Sequence, residues 1–430
     1  MKKLIALLLA AAMLLCFAGC SPSQTSGSNI PSSDINSSSE NLSSGSSSSQ
    51  NSSSGNSSSD KDKEHDHSSI HQTHYFYAQL DTLQQEYYEV LYSAVNNMQA
   101  SWIVLGLAEE DYRTDIATVR EAVLFDHPEI FWVPNNYATA LGTNEKGQKT
   151  AMVYFSGGEE EGSSAYTVAK GEKERMERDL ALAISKYTKA VTATDPYEIE
   201  LQLHNLLCAN TVYVNNPDEK MIYTAYGAIV NGRALCEGYS RAMQLLLSKF
   251  GITAIPVTGV ADGEGHMWNQ VLIGGNWYNL DVTWNDQSDG KISHEYFNVP
   301  DSQIVQDHTF SKNYTDLTEN DVVGVLPSFN INRPACTETE FNYFVKSGFV
   351  LDKTNIQAFL AYLVQNTDET VEIAVEAEYK NEIYADAQQF INDFNRQLSR
   401  EYPECGFKIT GLGFSVSCIR VYKASNAARR

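Results

Sequence analysis

Three side chains near the middle of this 430-residue chain have the types and order of an activated nucleophile. Cys236 stands in Gly-Arg-Ala-Leu-Cys-Glu-Gly-Tyr-Ser-Arg-Ala, His266 in Gly-His-Met-Trp-Asn, and Asp281 in Trp-Tyr-Asn-Leu-Asp-Val-Thr-Trp. A thiolate attacks carbonyl carbon, an imidazole can take up a proton and return it, and a carboxylate can fix that imidazole's tautomer. Together they would do acyl transfer. A thioester forms, and water or an amine then resolves it.

Such chemistry needs elements that bring the three together. Leu235, Tyr239, Ala242, Met243, Leu246, Leu247 and Phe250 follow the 3.6-residue repeat, so Cys236 opens a helix that Gly251 should stop with a left-handed cap. A thiol in a first helical turn faces unpaired amides and the positive dipole end, which favours the thiolate. Met267 to Ile273 reads as a strand beginning at His266. Gly274-Gly275 is a two-residue hairpin turn, and a return strand is expected from Trp277 to Trp284. If Ile273 pairs with Asn276, His266 faces Thr283 and Asp281 is its diagonal neighbour, about 7–8 Å away along the backbone and within side-chain reach. A slip of one residue would separate them. Taken singly, a helix-start cysteine is commonly a small core residue and a strand histidine a satisfied polar group; the joint pattern favours catalysis. Tyr226, Glu237, Trp268 and Asn269 are candidates to shape the cleft. A second oxyanion donor beside the Cys236 amide is not readable, and Tyr226 is the guess for it.

The three blocks, correctly ordered over roughly Lys170 to Phe310, resemble those of the bacterial transglutaminase-like superfamily, whose fold is related to papain-type cysteine peptidases. The resemblance implies an α+β fold in which a helix-borne cysteine packs on an antiparallel sheet carrying histidine and aspartate. It also implies Cys236 as nucleophile, His266 as general base and acid, and Asp281 as the orienting carboxylate. No cofactor and no metal are expected.

Met1-Lys2-Lys3 and the apolar run to Phe17 read as a signal peptide, too short to span a bilayer stably. Phe17-Ala18-Gly19-Cys20 resembles a bacterial lipoprotein box, which implies acylation of Cys20 and a tether to the outer face of a cytoplasmic membrane. From Ser21 to about Ser69 serine dominates and apolar residues are scarce, so residues 20–70 are expected to be a flexible tether. His65, His67, His71 and His74 close it, more plausibly solvated than metal-binding.

Residues 71–170 form the next region. Helices are expected over Phe76–Ala100 and Asp115–Leu124, a strand over Ile130–Val133, and a β-ribbon over Thr139–Val168 with turns at Gly147 and Gly157-Gly158. Phe125-Asp126-His127-Pro128-Glu129 resembles a block that often precedes such domains in Gram-positive bacteria; His127 is read there as a capping or core residue. The catalytic domain is set at 171–325. It starts with helices over Glu172–Val191 and, from the Asp195-Pro196 start signal, to about Val212. Asn285 to Gly290 is read as a surface turn rather than a calcium loop. Residues 326–430 read as a small α+β module. Helices are expected at Glu338–Gly348, Lys353–Gln365 and Ala385–Arg400, with strands at Thr370–Ala377 and Lys408–Tyr422.

Composition narrows the partners. A net charge of −23, or −25 without Lys2 and Lys3, argues against nucleic acid, which demands basic patches, and against electrostatic adhesion to anionic lipid. A membrane contact would therefore come through the lipid. The substrate class suggested is peptide, protein or peptidoglycan peptide, with hydrolysis ahead of transamidation because water needs no second binding site. An inert binding or structural module on the same fold is the alternative from another class. Cys208, Cys336, Cys405 and Cys418 remain, and their spacing fixes no disulfide, although Cys405–Cys418 is permitted.

Overall fold

The computed structural model describes residues 74–156, 165–216, 218–287, 290–311, 332–346, 350–415 and 417–425. The expected leader, Cys20, the serine-rich stretch, His65, His67, His71 and the turn expected at Gly157-Gly158 lie outside these residues. Among the described residues no helix is long and apolar enough to cross a membrane.

The fold is α+β, and among the described residues it is built on three sheets of three or four strands and one two-stranded pair. The N-terminal region packs helices α1 (Thr82–Asn96) and α2 (Tyr112–Asp126) beside an antiparallel sheet ordered β1-β3-β2, from Ile103–Leu107, Lys149–Phe155 and Tyr137–Thr143. The helix expected to start at Phe76 begins only at Thr82. Asp81 stops it short by forming a capping box with Gln84. Ile130–Val133 is not a strand. Phe131 and Trp132 are buried in irregular chain, tied down by Thr167, whose amide and hydroxyl donate to their carbonyls. β3 pairs with β2 on one side and with the preceding β1 on the other, so among the described residues the expected ribbon is the hairpin of β2 and β3.

Helices α3 (Lys170–Ala190) and α4 (Pro196–Asn210), the latter capped by Asp195, lead through short paired strands β4 (Val212–Tyr213) and β5 (Arg233–Ala234) into α5, Cys236–Ser248. Gly251, at φ +71°, takes the expected left-handed turn beyond it. α5 packs on an antiparallel sheet ordered β8-β7-β6-β9, from Asn276–Leu280, Glu264–Ile273, Ala254–Ala261 and His308–Phe310.

One continuous apolar core runs from Phe76 to Phe297, so the expected boundary at 170/171 is not a break in packing. The C-terminal sheet, β10-β11-β13-β12 (Val350–Leu351, Thr370–Val375, Cys418–Ser425, Phe407–Phe414), has a core of its own under helices Ile356–Gln365, Ala377–Ala385 and Ala387–Glu401. The helix expected at Glu338–Gly348 is reduced to Tyr343–Lys346 among the described residues. Cys208, Cys236, Cys336, Cys405 and Cys418 are all free, so Cys405 and Cys418 are not bridged.

Candidate active site

Hairpin register follows from the turn. Ile273 pairs with Asn276 and Asn269 with Leu280, as the Gly274-Gly275 signal required. The return strand, however, ends at Leu280 rather than Trp284. Asp281 caps a short helix, Val282–Asn285, by accepting from the Trp284 amide through Oδ1 at 3.0 Å. Thr283 is therefore in that helix, not opposite His266. Asp281 still reaches the histidine, because the residue after Leu280 turns to the face that carries His266.

The carboxylate and imidazole meet closely, with His266 Nε2 at 2.6 Å from Asp281 Oδ2. With Nε2 engaged, Nδ1 is the nitrogen left for a second partner. Cys236, half-buried at the start of α5, interacts with the same imidazole. Burial by itself would lower His266's affinity for a proton; the Asp281 carboxylate and then Cys236 reverse that and hold it well above an ordinary histidine. Asp281 is fully buried, which opposes its charge, yet His266 and then His308 hold its carboxyl far below the usual carboxylate range.

Two close approaches make the site. The first turn of α5 lies under the preceding loop: a Cβ on Gly238 would sit 2.3 Å from the Ile222 carbonyl oxygen. A Cβ on Gly259 would sit 2.1 Å from the Thr309 carbonyl oxygen and 2.7 Å from the Trp268 ring. Gly259 pairs with His266 on one side and Phe310 on the other. The strand between two histidine-bearing neighbours thus presents almost no side chain, and their rings meet above it.

The other sequence candidates divide. Trp268 is buried and stacks along His266 at 6.1 Å between ring centres, its indole N–H donating to Asn279. Asn269 points to the opposite face and donates to the Ser240 carbonyl, which holds α5 on the sheet. Glu237 pairs with Arg241 one turn along the helix. Tyr226 precedes the turn at Gly227–Asn231, with its ring on Phe131 and Arg175 as its hydroxyl partner. Asp286, in the oxygen-rich turn, accepts from the Tyr239 hydroxyl of α5. His127 is buried, stacked on Tyr92 and paired with Glu129.

The sequence reading missed two neighbours of the site. Tyr213 in β4 borders the thiol: burial and then the nearby charge of Cys236 push its phenol upward. His308, in β9, also donates toward Asp281 Oδ2, at 3.1 Å. By donor type His266, Asp281 and His308 could face a cation. In this structure, however, their ligand atoms are spent on one another, and a cation would have to part both hydrogen bonds in a closed interior.

Several comparisons bear on this arrangement. No curated protein matches the chain. Solved structures similar to it include a TGase (14% identity, TM-score 0.25, covering 35% of this chain and 44% of that one). A proposed cysteine protease from Cytophaga hutchinsonii is 16% identical (TM-score 0.22, covering 40% and 65%). A proposed protease from Parabacteroides distasonis is 8% identical (TM-score 0.20, covering 34% and 35%). The chain spans less than two thirds of each. Residues 185–282, which hold Cys236, His266 and Asp281, match the family model of the Transglutaminase-like superfamily.

Proposed function

We propose that the chain is a cysteine-dependent acyl-transfer enzyme that hydrolyses amide bonds in peptides, proteins or cell-wall peptides. The observation that carries this reading is the His266–Asp281 contact of 2.6 Å beside a thiol at a helix start. Cys236 Sγ attacks the amide carbonyl carbon as its thiolate, and the C=O π pair moves onto oxygen. The Cys236 backbone amide donates to that oxyanion. The C–N bond then breaks and the leaving amine takes the proton from His266. Water, deprotonated by the now neutral imidazole, attacks the thioester carbonyl; the C–S bond breaks and the acid leaves. Asp281 holds the imidazole with Nε2 inward, so that Nδ1 serves the sulfur and substrate throughout.

The exported, lipid-tethered setting expected from Cys20 and the serine-rich stretch belongs to the same proposal, and it suggests substrates outside the cytoplasmic membrane. Release of new amino termini from peptide and peptidoglycan-peptide libraries, with Cys236→Ala as the blank, tests it. Product that appears only when an amine is added assigns the chain to transamidation. No turnover of any amide, with the thiol intact, leaves the binding module.

A further inference from the structure

Asp281 does not serve His266 alone. Its Oδ2 lies 2.6 Å from His266 Nε2 and 3.1 Å from His308 Nε2, and the two rings are 5.4 Å apart. On its far side, His308 Nδ1 lies 2.6 Å from Asp307 Oδ1, and Asp307 Oδ2 accepts from the Tyr296 hydroxyl at 2.5 Å. The His308 side chain is wholly out of solvent.

A carboxylate only accepts, and a neutral imidazole has one N–H. An imidazole with a carboxylate oxygen at each nitrogen is therefore satisfied at both only as the imidazolium. We propose that His308 is a positioning residue: a second imidazolium that shares Asp281 with His266, fixes the direction of the shared oxygen, and weakens the carboxylate's hold on the His266 proton. This rests on the reading of Cys236, His266 and Asp281 as the reacting group.

The groups facing His308 are few. β7 contributes His266, the position after β8 Asp281, the segment leading into β9 Asp307, and the loop after the short helix Val282–Asn285 contributes Tyr296. Trp268 and Trp284, with ring centres 5.2 and 4.5 Å from His308, close the remaining sides with apolar surface. Burial disfavours a charge on His308, and Asp281 and Asp307 overcome it, so its proton affinity is raised. The consequence is kinetic. With Asp281 devoted to His266 alone, the imidazolium would be harder to deprotonate and slower to hand its proton to a leaving amine.

Two variants remove the charge by different routes. His308→Gln keeps an N–H toward Asp281, whereas Asp307→Asn leaves the ring in place without its second carboxylate. Ring-carbon NMR of the full chain reads the titration of each histidine directly, with circular dichroism confirming the fold. The wild type should show His308 doubly protonated at pH 7. Both variants should move the His266 midpoint upward by about one unit and lower kcat about tenfold with KM unchanged. A neutral His308 in the wild type, or an unmoved His266 midpoint in whichever variant folds, overturns the proposal. Rapid alkylation of Cys236 that disappears in His266→Ala reports separately on the underlying reading. Its absence would sink that reading while the NMR result on His308 still stands or falls alone.

Discussion

The N-terminal region and the C-terminal module both flank the sheet that carries His266, but they are attached by different physics. The former is continuous with the site. Its buried residues belong to the same apolar core as α5, and two buried side chains of α5 reach into it. Arg241 Nη1 donates to the Leu124 carbonyl at 2.5 Å and Gln244 Nε2 to the Phe125 carbonyl at 2.7 Å. Those carbonyls end α2 and would otherwise be orphaned; an arginine there also meets the negative end of the dipole. The C-terminal sheet has its own core, and polar side chains tie it to the loop after the short helix Val282–Asn285. Glu372 accepts from the Ser293 hydroxyl and the His294 amide, and Glu295 accepts from the Ser417 amide. Apolar contact comes from the segment before that sheet, where Phe341 and Tyr343 pack against the main core and Tyr343 stacks on His294 at 4.0 Å between ring centres. The lesson is that the nucleophile helix depends on the region before it for its folding, while the module behind the hairpin can be loosened with less harm.

Breaking the first attachment should cost most. Arg241→Met strands the Leu124 carbonyl and leaves Glu237 without its partner, at a cost of about 2–4 kcal/mol. All five tryptophans lie before residue 285, so their fluorescence reports the N-terminal region and the catalytic sheet together. Urea unfolding of this variant should remain one fluorescence transition at a lower midpoint. Two separated tryptophan transitions would show that the regions do not share a core.

A buried contact within residues 171–325 themselves is sensitive to pH. Glu200, wholly buried on α4, accepts from Asn298 Nδ2 at 2.7 Å, while among the described residues its other oxygen has no partner. Burial pushes its carboxyl up to about 8. A raised folded value means stability that is complete below the unfolded value near 4.5 and lost as pH rises through about 8. Glu200→Gln should remove this loss, so its advantage over the wild type should grow between those limits by a kcal/mol or more (an order-of-magnitude figure). Midpoints that stay parallel across the range would refute it. Nearby, burial lowers His204 to about 4; its contribution is present above the ordinary value of 6.5 and lost as pH falls through about 4.

The smallest effect is expected at the module. Glu372→Ala removes its bonds to Ser293, His294 and Arg420 and should cost about 1–2 kcal/mol. It should separate the curves: circular dichroism, which sees the module, should fall before tryptophan fluorescence does. Coincident curves would contradict the division drawn here.

Much of the site was legible because its signals are local. An amphipathic repeat with a glycine stop marks α5, and Gly274-Gly275 sets the hairpin register. The reading failed where two signals compete. Asp281 to Trp284 continues an apolar alternation, yet an aspartate also caps helices, and the cap won. β6 went unread because Pro256 and Gly259 look like breaks. Pro256 is tolerated where β6 has β7 as its neighbour and β9, which pairs only with Gly259 to Ala261, has not begun. The Ile130–Val133 run advertised burial, and burial was met without a strand. Asp307-His308-Thr309-Phe310 resembles a closing element of the domain, but nothing local in it marks His308 for the site. Its place beside Asp281 comes from a strand that returns some forty residues after His266 and pairs across a glycine.

The account turns on the sulfur of Cys236 and the imidazole of His266 acting as one unit. Its most direct test is the second-order rate of Cys236 alkylation by iodoacetamide at neutral pH, in the wild type and in His266→Ala. The account predicts labelling much faster than a model thiol in the wild type, falling to the model rate in the variant. Labelling at the model rate in both would contradict it.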